Sequence, residues 1–342
     1  MNRRLTIDWY QGFVRPLLFQ LDPESAHHLA LRSLRLAPWI PGALAFLRSF
    51  APPPRPRSLF GLQFRNPIGL AAGFDKNAVA IPAWEAMGFG FVEIGTVTAQ
   101  PQPGNPRPRI FRYPSQQVLI NRLGFNNEGA RVVAERLRHL RASRFAPSIP
   151  IGVNLGKSRT VPFNEAANDY RESFRQLAPL ADYVALNISS PNTPQLRALQ
   201  EKEALEQLLS VITEENARLS SPRPLLIKIA PDLLDESLSE IAQICDAFGL
   251  AGLIATNTTI DHAELAGKDE AGGLSGTLLR ARSTAVVRLI RSRTHLPIIA
   301  VGGISDSAWA NEKFGAGAQL LQIYSGLIFR GPSLLRDIAA AC

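Results

Sequence analysis

The sequence predicts a (β/α)8 barrel that is preceded by an N-terminal extension of amphipathic helices. Eight short, continuously apolar segments alternate with eight helix-like segments, and polar residues gather at the C-terminal ends of the apolar segments. Parallel strands that are covered by helices have such uninterrupted apolar sequences. An open, doubly wound parallel sheet is the alternative that the same alternation allows.

The composition is that of a large globular protein. Of the 342 residues, 46% are hydrophobic and 19% are charged, so the chain can bury a large core and intrinsic disorder is excluded. Its two cysteines, Cys245 and Cys342, exclude a disulfide framework and suggest a reducing compartment. No uncharged apolar stretch reaches the roughly 18 residues of a membrane-spanning helix, and the N-terminus lacks the pattern of a secretory signal.

Positive charge is concentrated near the N-terminus. Residues 1–57 contain eight arginines and three acidic residues, and so carry +5 of the total net charge of +8. A basic segment of this kind indicates an anionic surface as partner, a membrane in the first place and a nucleic acid in the second.

Residues 1–50 are predicted to form short amphipathic helices. From Thr6 to Gln20, apolar pairs recur every four residues: Trp9 with Tyr10, Phe13 with Val14, and Leu17 with Leu18. Asp22 and Pro23 supply an N-cap and a first-turn proline for a second helix. Residues 38–50 continue the same pattern.

This extension allows two interpretations. It is either a helical subdomain packed on the main body or a foot that lies in a bilayer surface. Residues 51–57 are rich in proline and indicate a linker. Residues 58–342 are then the barrel, and the extension is predicted to be a removable module.

The predicted strands are apolar segments of similar length: residues 68–72, 91–96, 149–155, 183–188, 225–230, 252–256, 297–301 and 319–323. The predicted helices follow them in turn, near residues 77–88, 127–143, 164–178, 201–218, 235–248, 280–293, 306–316 and 332–341. In a (β/α)8 barrel the chemistry takes place at the C-terminal ends of the strands.

Amides, hydroxyls and glycines follow most of the strands, among them Asn154, Asn187, Ser189, Ser190, Thr256, Asn257 and Thr258. One asparagine after a strand is usually a turn residue, but the repetition predicts a ligand site lined by amides and hydroxyls. Glycine pairs after the late strands let backbone N–H groups approach a phosphate. A Walker-type motif is absent from the sequence, which argues against a nucleoside triphosphate.

Two of the six lysines lie in apolar surroundings. Lys76 follows the segment AAGFD, and Lys228 lies within the strand segment LLIKIA. A buried lysine is costly unless an anion compensates its charge. A reduced flavin, which is anionic at its N1/O2 edge, is one such anion.

Metal chemistry is not expected, because the five histidines lack metal-binding spacing: His27, His28, His139, His262 and His295. No histidine or cysteine ends a strand, which leaves Ser190 as the candidate base. Ser190 lies in the segment NISSPNTPQLRALQ, whose prolines and asparagines indicate a lid loop. An ordinary serine turn is the alternative.

Ten segments resemble the quinone-dependent, membrane-associated class of the dihydroorotate dehydrogenase family: AAGFDKN, EIGTVTAQPQPGNPRPRIFR, NRLGFNN, GVNLGKS, LNISSPNTPQLR, IKIAPD, TNTT, GGLSG, VGGI and QIYSGLIF. The resemblance covers residues 50–340. Ser190 stands where the soluble class has a cysteine base, and the soluble class lacks the amphipathic extension. Phe74 departs from the family pattern, which has leucine there.

The resemblance implies one FMN per chain, held by Ala72, Gly73, Phe74, Asp75, Lys76, Thr96, Asn154, Asn187, Lys228, Thr256, Gly276, Gly303, Tyr324 and Ser325. It implies that dihydroorotate is bound by Lys76, Asn121, Arg122, Leu123, Gly124, Phe125, Asn187, Asn192, Asn257 and Thr258. Ser190 would take a proton from C5 while a hydride leaves C6, helped by a relay through water or threonine. The quinone would bind between the N-terminal helices, near His28 and Arg112.

The implied function is oxidation of (S)-dihydroorotate to orotate with a membrane quinone as acceptor, the redox step of de novo pyrimidine (UMP) biosynthesis. The resemblance also implies a peripheral protein on the cytoplasmic face of a bacterial inner membrane, attached to anionic lipid by the N-terminal helices. The resemblance is compatible with a monomeric protein, and it implies no nucleic-acid partner.

Two other functions would each account for part of the sequence. A flavin barrel that reduces uridine in tRNA would suit the basic charge, but such enzymes generally use a cysteine acid, and no cysteine ends a strand here. A non-catalytic phosphate-binding barrel with a membrane foot would not need the strand-end asparagines or the two lysines in apolar surroundings.

Overall fold

Eight parallel strands close into a barrel in the computed structural model, which describes residues 8–267 and 270–340. Helices surround this barrel, and further helices precede it. The predicted (β/α)8 barrel with an N-terminal helical extension is therefore confirmed. Cys342 and the first two residues of the predicted N-terminal helix lie outside the described residues.

The strands of the described part are β1 (Arg57–Leu59), β2 (Leu62–Phe64), β3 (Ile68–Leu70), β4 (Phe91–Val97), β5 (Ile110–Tyr113), β6 (Val118–Asn121), β7 (Ile151–Leu155), β8 (Tyr183–Asn187), β9 (Leu225–Ile229), β10 (Gly252–Ala255), β11 (Gly273–Gly276), β12 (Ile298–Val301) and β13 (Leu320–Ile323). The barrel consists of β3, β4, β7, β8, β9, β10, β12 and β13, in that order, and β13 pairs with β3 to close it. These are the eight strands that the sequence predicts, to within two residues at each end.

The α-helices of the same part are α1 (Arg15–Leu18), α2 (Pro23–Leu36), α3 (Ala43–Arg48), α4 (Ile81–Met87), α5 (Gly129–Arg141), α6 (Ala166–Leu177), α7 (Lys202–Ala217), α8 (Asp235–Ala247), α9 (Arg280–Arg293), α10 (Ser307–Gly315), α11 (Ser325–Arg330) and α12 (Ser333–Ala339). Helix α4 begins four residues later than predicted. The reason is that the Asp75 carboxylate accepts the backbone N–H groups of Val79 and Ala80, both at 2.8 Å, and so holds a turn in front of the helix.

Two small antiparallel sheets were not predicted. The hairpin of β1 and β2 brings Phe64 against Phe91, with ring centroids 5.3 Å apart, and covers the N-terminal end of the barrel. Its first residue, Arg57, had been assigned to the linker. The second sheet has the order β11-β6-β5 and carries Asn121 on its middle strand.

The barrel interior is layered. Its lower layer is apolar and consists of Phe91, Tyr183, Leu226, Ile254, Ile299 and Leu320. Two residues further along their strands, Glu93, Lys228 and Gln322 are buried above this layer. Because side chains alternate along a strand, these three point into the barrel as well. The polar layer is therefore the floor of the C-terminal mouth.

The N-terminal extension is helical, as predicted. A π-helical turn over Tyr10–Val14 leads into α1, and Asp22 caps α2 by accepting the backbone N–H groups of Glu24 and Ser25 at 3.1 Å. Trp9, Phe13, Val14 and Leu17 are exposed, and Trp9, Tyr10, Val14 and Leu18 line a cavity. In the part of the chain that is described, no helix is long and apolar enough to span a bilayer.

Candidate active site

A polar cavity of about 930 Å³ occupies the C-terminal mouth of the barrel. Most of the predicted site residues line it: Ala72, Gly73, Lys76, Thr96, Asn121, Leu123, Gly124, Phe125, Asn187, Ser190, Asn192, Lys228, Thr256, Asn257, Thr258, Gly303, Tyr324 and Ser325. The loops after five barrel strands, residues within β4 and β9, and the sheet of β5, β6 and β11 therefore converge on one site.

Five predicted residues lie behind or beside this lining. Asp75 is fully buried, and its carboxylate accepts hydrogen bonds from nearby backbone N–H groups and from the Trp84 indole. Its side chain therefore stabilises the turn in front of α4. Arg122 turns outward to Glu270, at 3.1 Å. Phe74 faces the N-terminal helices, Gly276 ends β11, and Asn154 lies beneath the cavity.

A chain of hydrogen bonds fixes the amides of the site. Asn257 Nδ2 donates to Asn187 Oδ1 at 3.2 Å, and Asn187 Nδ2 donates to Thr96 Oγ1 at 2.9 Å. Thr96 Oγ1 donates to Asn154 Oδ1 at 2.6 Å, and Asn154 Nδ2 donates to Glu93 Oε1 at 2.9 Å. This series of hydrogen bonds ends on the Glu93 carboxylate, which only accepts. The orientation of every amide group in the series is therefore determined.

Glu93 and Gln322 were missed by the sequence reasoning. Glu93 also accepts hydrogen bonds from Tyr183 Oη, at 3.0 Å, and Gln322 Nε2, at 2.6 Å. The signal was available, because Glu93 interrupts an apolar strand segment in the same way as Lys228 does.

Lys228 is the cation of the cavity floor and exposes only 5% of its surface. Burial lowers the pKa of Lys228, and the negative charge of Glu93 opposes that shift. Among the described residues, Lys228 Nζ has no hydrogen-bond partner, and neither has the buried Gln322 Oε1. The floor thus offers a cationic donor and an acceptor to a ligand.

Lys76 is a second, half-buried cation, at the edge of the cavity. Its Nζ donates to Gly73 O at 2.9 Å. Burial first, and then the charge of Arg109, lower the pKa of Lys76 to about 8, although Glu24 and Asp75 oppose this. Lys76 can therefore lose its charge within an ordinary experimental pH range.

Ser190 lies in the loop after β8 and is 5% exposed. Its Oγ accepts the backbone N–H of Asn192 at 3.3 Å. Three residues after Ser190, the buried hydroxyl Oγ1 of Thr193 has no hydrogen-bond partner within the described chain. This loop also reaches the sheet at the mouth, because Asn192 Nδ2 donates to Asn121 O at 3.0 Å.

A second, largely apolar cavity of about 1510 Å³ lies between the N-terminal helices and the barrel. Arg112 lines it as predicted, but His28 does not; the histidine in this cavity is its neighbour His27. His28 instead lies 3.5 Å from Glu24 in a neighbouring pocket. Adjacent helical residues point about 100° apart, so only one of the two histidines can face the cavity.

Tyr324 lines both cavities. Its ring packs against Phe74 with 5.1 Å between centroids, and Phe74 packs against His27 at 5.3 Å. Burial raises the pKa of the Tyr324 phenol to about 12, so it is neutral. The polar and the apolar cavity therefore meet at a single uncharged aromatic wall.

The chain is similar to known proteins along its whole length. The family model for dihydroorotate dehydrogenase matches residues 56–341. The dihydroorotate dehydrogenase (quinone) of Chloroflexus aurantiacus is 50% identical over 100% of this chain and 98% of the relative. That of Salinispora arenicola is 48% identical over 97% and 98%. The crystal structure of DHODH from Eimeria tenella in complex with ferulenol has a TM-score of 0.85 and 36% identity, covering 95% of this chain and 93% of that one.

The barrel, the polar cavity with its two lysines and the adjoining apolar cavity define an oxidoreductase of the flavin-dependent barrel type. The similarity is more specific: the chain belongs to the dihydroorotate dehydrogenase family, in its quinone-dependent class. The predicted family and enzyme class are thereby confirmed, and neither the tRNA-reducing barrel nor the non-catalytic barrel is favoured.

Proposed function

We propose that this protein oxidises (S)-dihydroorotate to orotate in the polar cavity, with one FMN per chain, and that a membrane quinone collects the electrons in the apolar cavity. The observation that carries the proposal is the wall that the two cavities share. Tyr324 belongs to both, so a redox cofactor against this wall is close to both partners without bringing them into contact.

The residues at the floor of the polar cavity and at the ends of β12 and β13 fit FMN. Lys228 Nζ and Gln322 Oε1 are a free donor and a free acceptor for a polar ring edge. At the end of β12, Gly302 and Gly303 line the cavity and have φ angles of 113° and 72°, which favour glycine, so that a phosphate could approach their backbone N–H groups. Ala72, Gly73, Thr96, Asn187, Thr256, Tyr324 and Ser325 would complete this site. When bound, FMN supplies the hydride acceptor.

The opposite side of the cavity suits dihydroorotate, a ring of amides with one carboxylate. Asn121, Asn192 and Asn257 converge there, and each amide can donate and accept. Lys76, while protonated, can pair with the carboxylate. Leu123, Gly124 and Phe125 contribute the remaining wall.

Ser190 is the proposed base for the proton at C5. Its Oγ already accepts the N–H of Asn192, and such a donor stabilises the negative charge that develops on the oxygen as its own proton leaves. A serine needs a further acceptor for that proton. The unpaired hydroxyl of Thr193, in the same loop, is the threonine that we assign to this relay.

The N-terminal helices are proposed to hold the protein on the anionic cytoplasmic surface of a bacterial inner membrane. Trp9, Phe13 and Leu17 expose 60%, 53% and 66% of their surface, which is unusual for large apolar residues outside an interface. Burial, with the charges of Lys76 and His28, lowers the pKa of His27 to about 3. His27 is then neutral and can bond a quinone oxygen without adding charge.

The two half-reactions provide the test. Purified protein should carry FMN, lose its flavin absorption when dihydroorotate is added without oxygen, and regain it when a quinone is added. It should also co-float with vesicles of phosphatidylglycerol and phosphatidylcholine. Protein that carries flavin but is not bleached by dihydroorotate would refute the proposed reaction, and protein that stays unbound in flotation would refute the membrane assignment.

A further inference from the structure

The N-terminal extension is attached to the barrel by a buried ion pair. Glu24 on α2 and Arg109, just before β5, are each only 6% exposed. Arg109 donates to Glu24 Oε1 through Nη2, at 2.7 Å, and through Nε, at 3.1 Å. Burial alone would raise the pKa of Glu24, but the hydrogen bonds and charge of Arg109 lower that pKa below its usual value. Glu24 is therefore a carboxylate, and the pair has a defined geometry.

The same guanidinium holds the loop in front of β5 together. Arg109 Nη1 donates to the carbonyl oxygens of Pro103, at 2.6 Å, and Asn105, at 2.8 Å. A Cβ atom at Gly104 would lie 2.7 Å from Nη1 and 2.3 Å from Leu123 O. The loop is thus closed around Arg109 so tightly that its conformation depends on where Arg109 is held.

Asn105 connects this loop to the proposed dihydroorotate site. Its Nδ2 donates to Arg122 O at 2.8 Å and to Asn192 O at 3.5 Å. Its backbone N–H donates to Leu123 O at 3.0 Å. Leu123 and Asn192 both line the polar cavity. A continuous series of contacts therefore runs from Glu24 of the extension to the substrate side of the barrel.

We propose that Glu24 is a positioning residue for dihydroorotate. Through Arg109 and Asn105 it holds the loops of residues 103–109 and 121–125, and the loop that carries Ser190, in the conformation that binds this substrate. Glu24 lies outside the polar cavity, so it acts through these neighbours and through its negative charge, which also opposes the lowering of the pKa of Lys76; Asn105→Ala leaves that charge in place and so isolates the contact series. The extension thus serves the dihydroorotate half-reaction as well as the quinone. This inference rests on the proposed function.

The test measures substrate affinity and reaction rate separately, in the full-length protein loaded with FMN. Glu24→Gln keeps the size of the side chain and removes the charge that Arg109 binds. Anaerobic stopped-flow reduction at increasing dihydroorotate concentrations gives the substrate Kd and the limiting rate. We expect the Kd to rise roughly 2- to 30-fold, the range of couplings through intermediate residues. The limiting rate should fall less than the affinity does, because the substitution removes no group at the reacting atoms.

Two further variants make the result specific. Glu135→Gln is the matched control, since the same substitution there removes an exposed ion pair to Arg131 and should leave the Kd unchanged. Asn105→Ala leaves the Glu24–Arg109 pair intact but removes the next contact, and should raise the Kd as Glu24→Gln does.

Two results would overturn the inference. One is a Glu24→Gln protein that melts at lower temperature but binds dihydroorotate as the wild type does, because the pair would then be structural only. The other applies if Glu24→Gln does not fold: a normal Kd in Asn105→Ala would then show that the contact series does not position the substrate. A wild-type protein that dihydroorotate cannot reduce would instead refute the proposed function, which keeps the two failures apart.

Discussion

The charge of Lys228 is expected to control both flavin retention and flavin reduction. Lys228→Met removes this charge while it keeps most of the side-chain volume. Lys228 is 5% exposed and has no hydrogen-bond partner among the described residues. The electrostatic attraction of Glu93 stabilises its charge in the protein. A buried hydrogen bond to a charged group contributes about 1.5–3 kcal/mol. FMN should therefore bind roughly 10- to 150-fold more weakly.

The assay is fluorescence titration of the apoprotein with FMN, followed by anaerobic stopped-flow reduction of the reconstituted protein. Lys202→Met, at an exposed position of α7, is the matched control. Because Lys228→Met leaves the buried Glu93 without its cation, the double variant with Glu93→Gln, which removes both charges, is the second protein to test if the single variant is unstable. Wild-type FMN affinity together with a wild-type reduction rate in either variant would refute the role assigned to Lys228.

Three more outcomes are expected. Ser190→Ala should retain FMN but slow flavin reduction about 100-fold or more, with partial activity in Ser190→Cys; normal reduction in Ser190→Ala would move the base elsewhere. Because the pKa of Lys76 is about 8, orotate should bind more weakly above pH 8, by up to about tenfold per pH unit. In Lys76→Arg, the orotate Kd measured by calorimetry should not change with pH. A pH-independent Kd in the wild type would contradict this prediction. Deletion of residues 1–50 should abolish membrane flotation and turnover with a long-tailed quinone. It should also raise the Kd for dihydroorotate, because Glu24 is lost. Unchanged quinone turnover would exclude the extension from the mechanism.

The barrel could be predicted because its signal is local and repeated. Each strand is a short apolar segment and each is followed by an amphipathic helix, so the pattern needs no knowledge of which residues meet in space. The lining of the mouth followed from one geometrical rule, that the strand ends of a parallel barrel lie together. Asn187, Lys228 and Thr256 were found in this way.

The surroundings of other predicted residues could not be inferred, because they depend on non-local neighbours. His27 and His28 are equivalent in the sequence, and only the packing of α2 on the barrel decides which of them faces the apolar cavity. Likewise Gly276 belongs to a glycine-rich segment that suggests a phosphate loop, and only the structure shows that it also pairs with Val118 in a small antiparallel sheet. Local sequence shows that a glycine is needed, and not which atoms come close to it.

The proline-rich linker is the case in which sequence and structure lead to different expectations. Residues 51–56 form no helix or strand, and a linker of this composition suggests a module that can be removed. Yet the extension contributes the buried carboxylate of Glu24, and Arg112 of β5 donates to Phe19 O and Leu21 O at 2.9 Å and 3.0 Å. Removal of one partner from a buried ion pair leaves the other charge uncompensated, at a cost of about 3–5 kcal/mol. These contacts join the extension to the barrel, so we expect the two to unfold together despite the proline-rich segment between them.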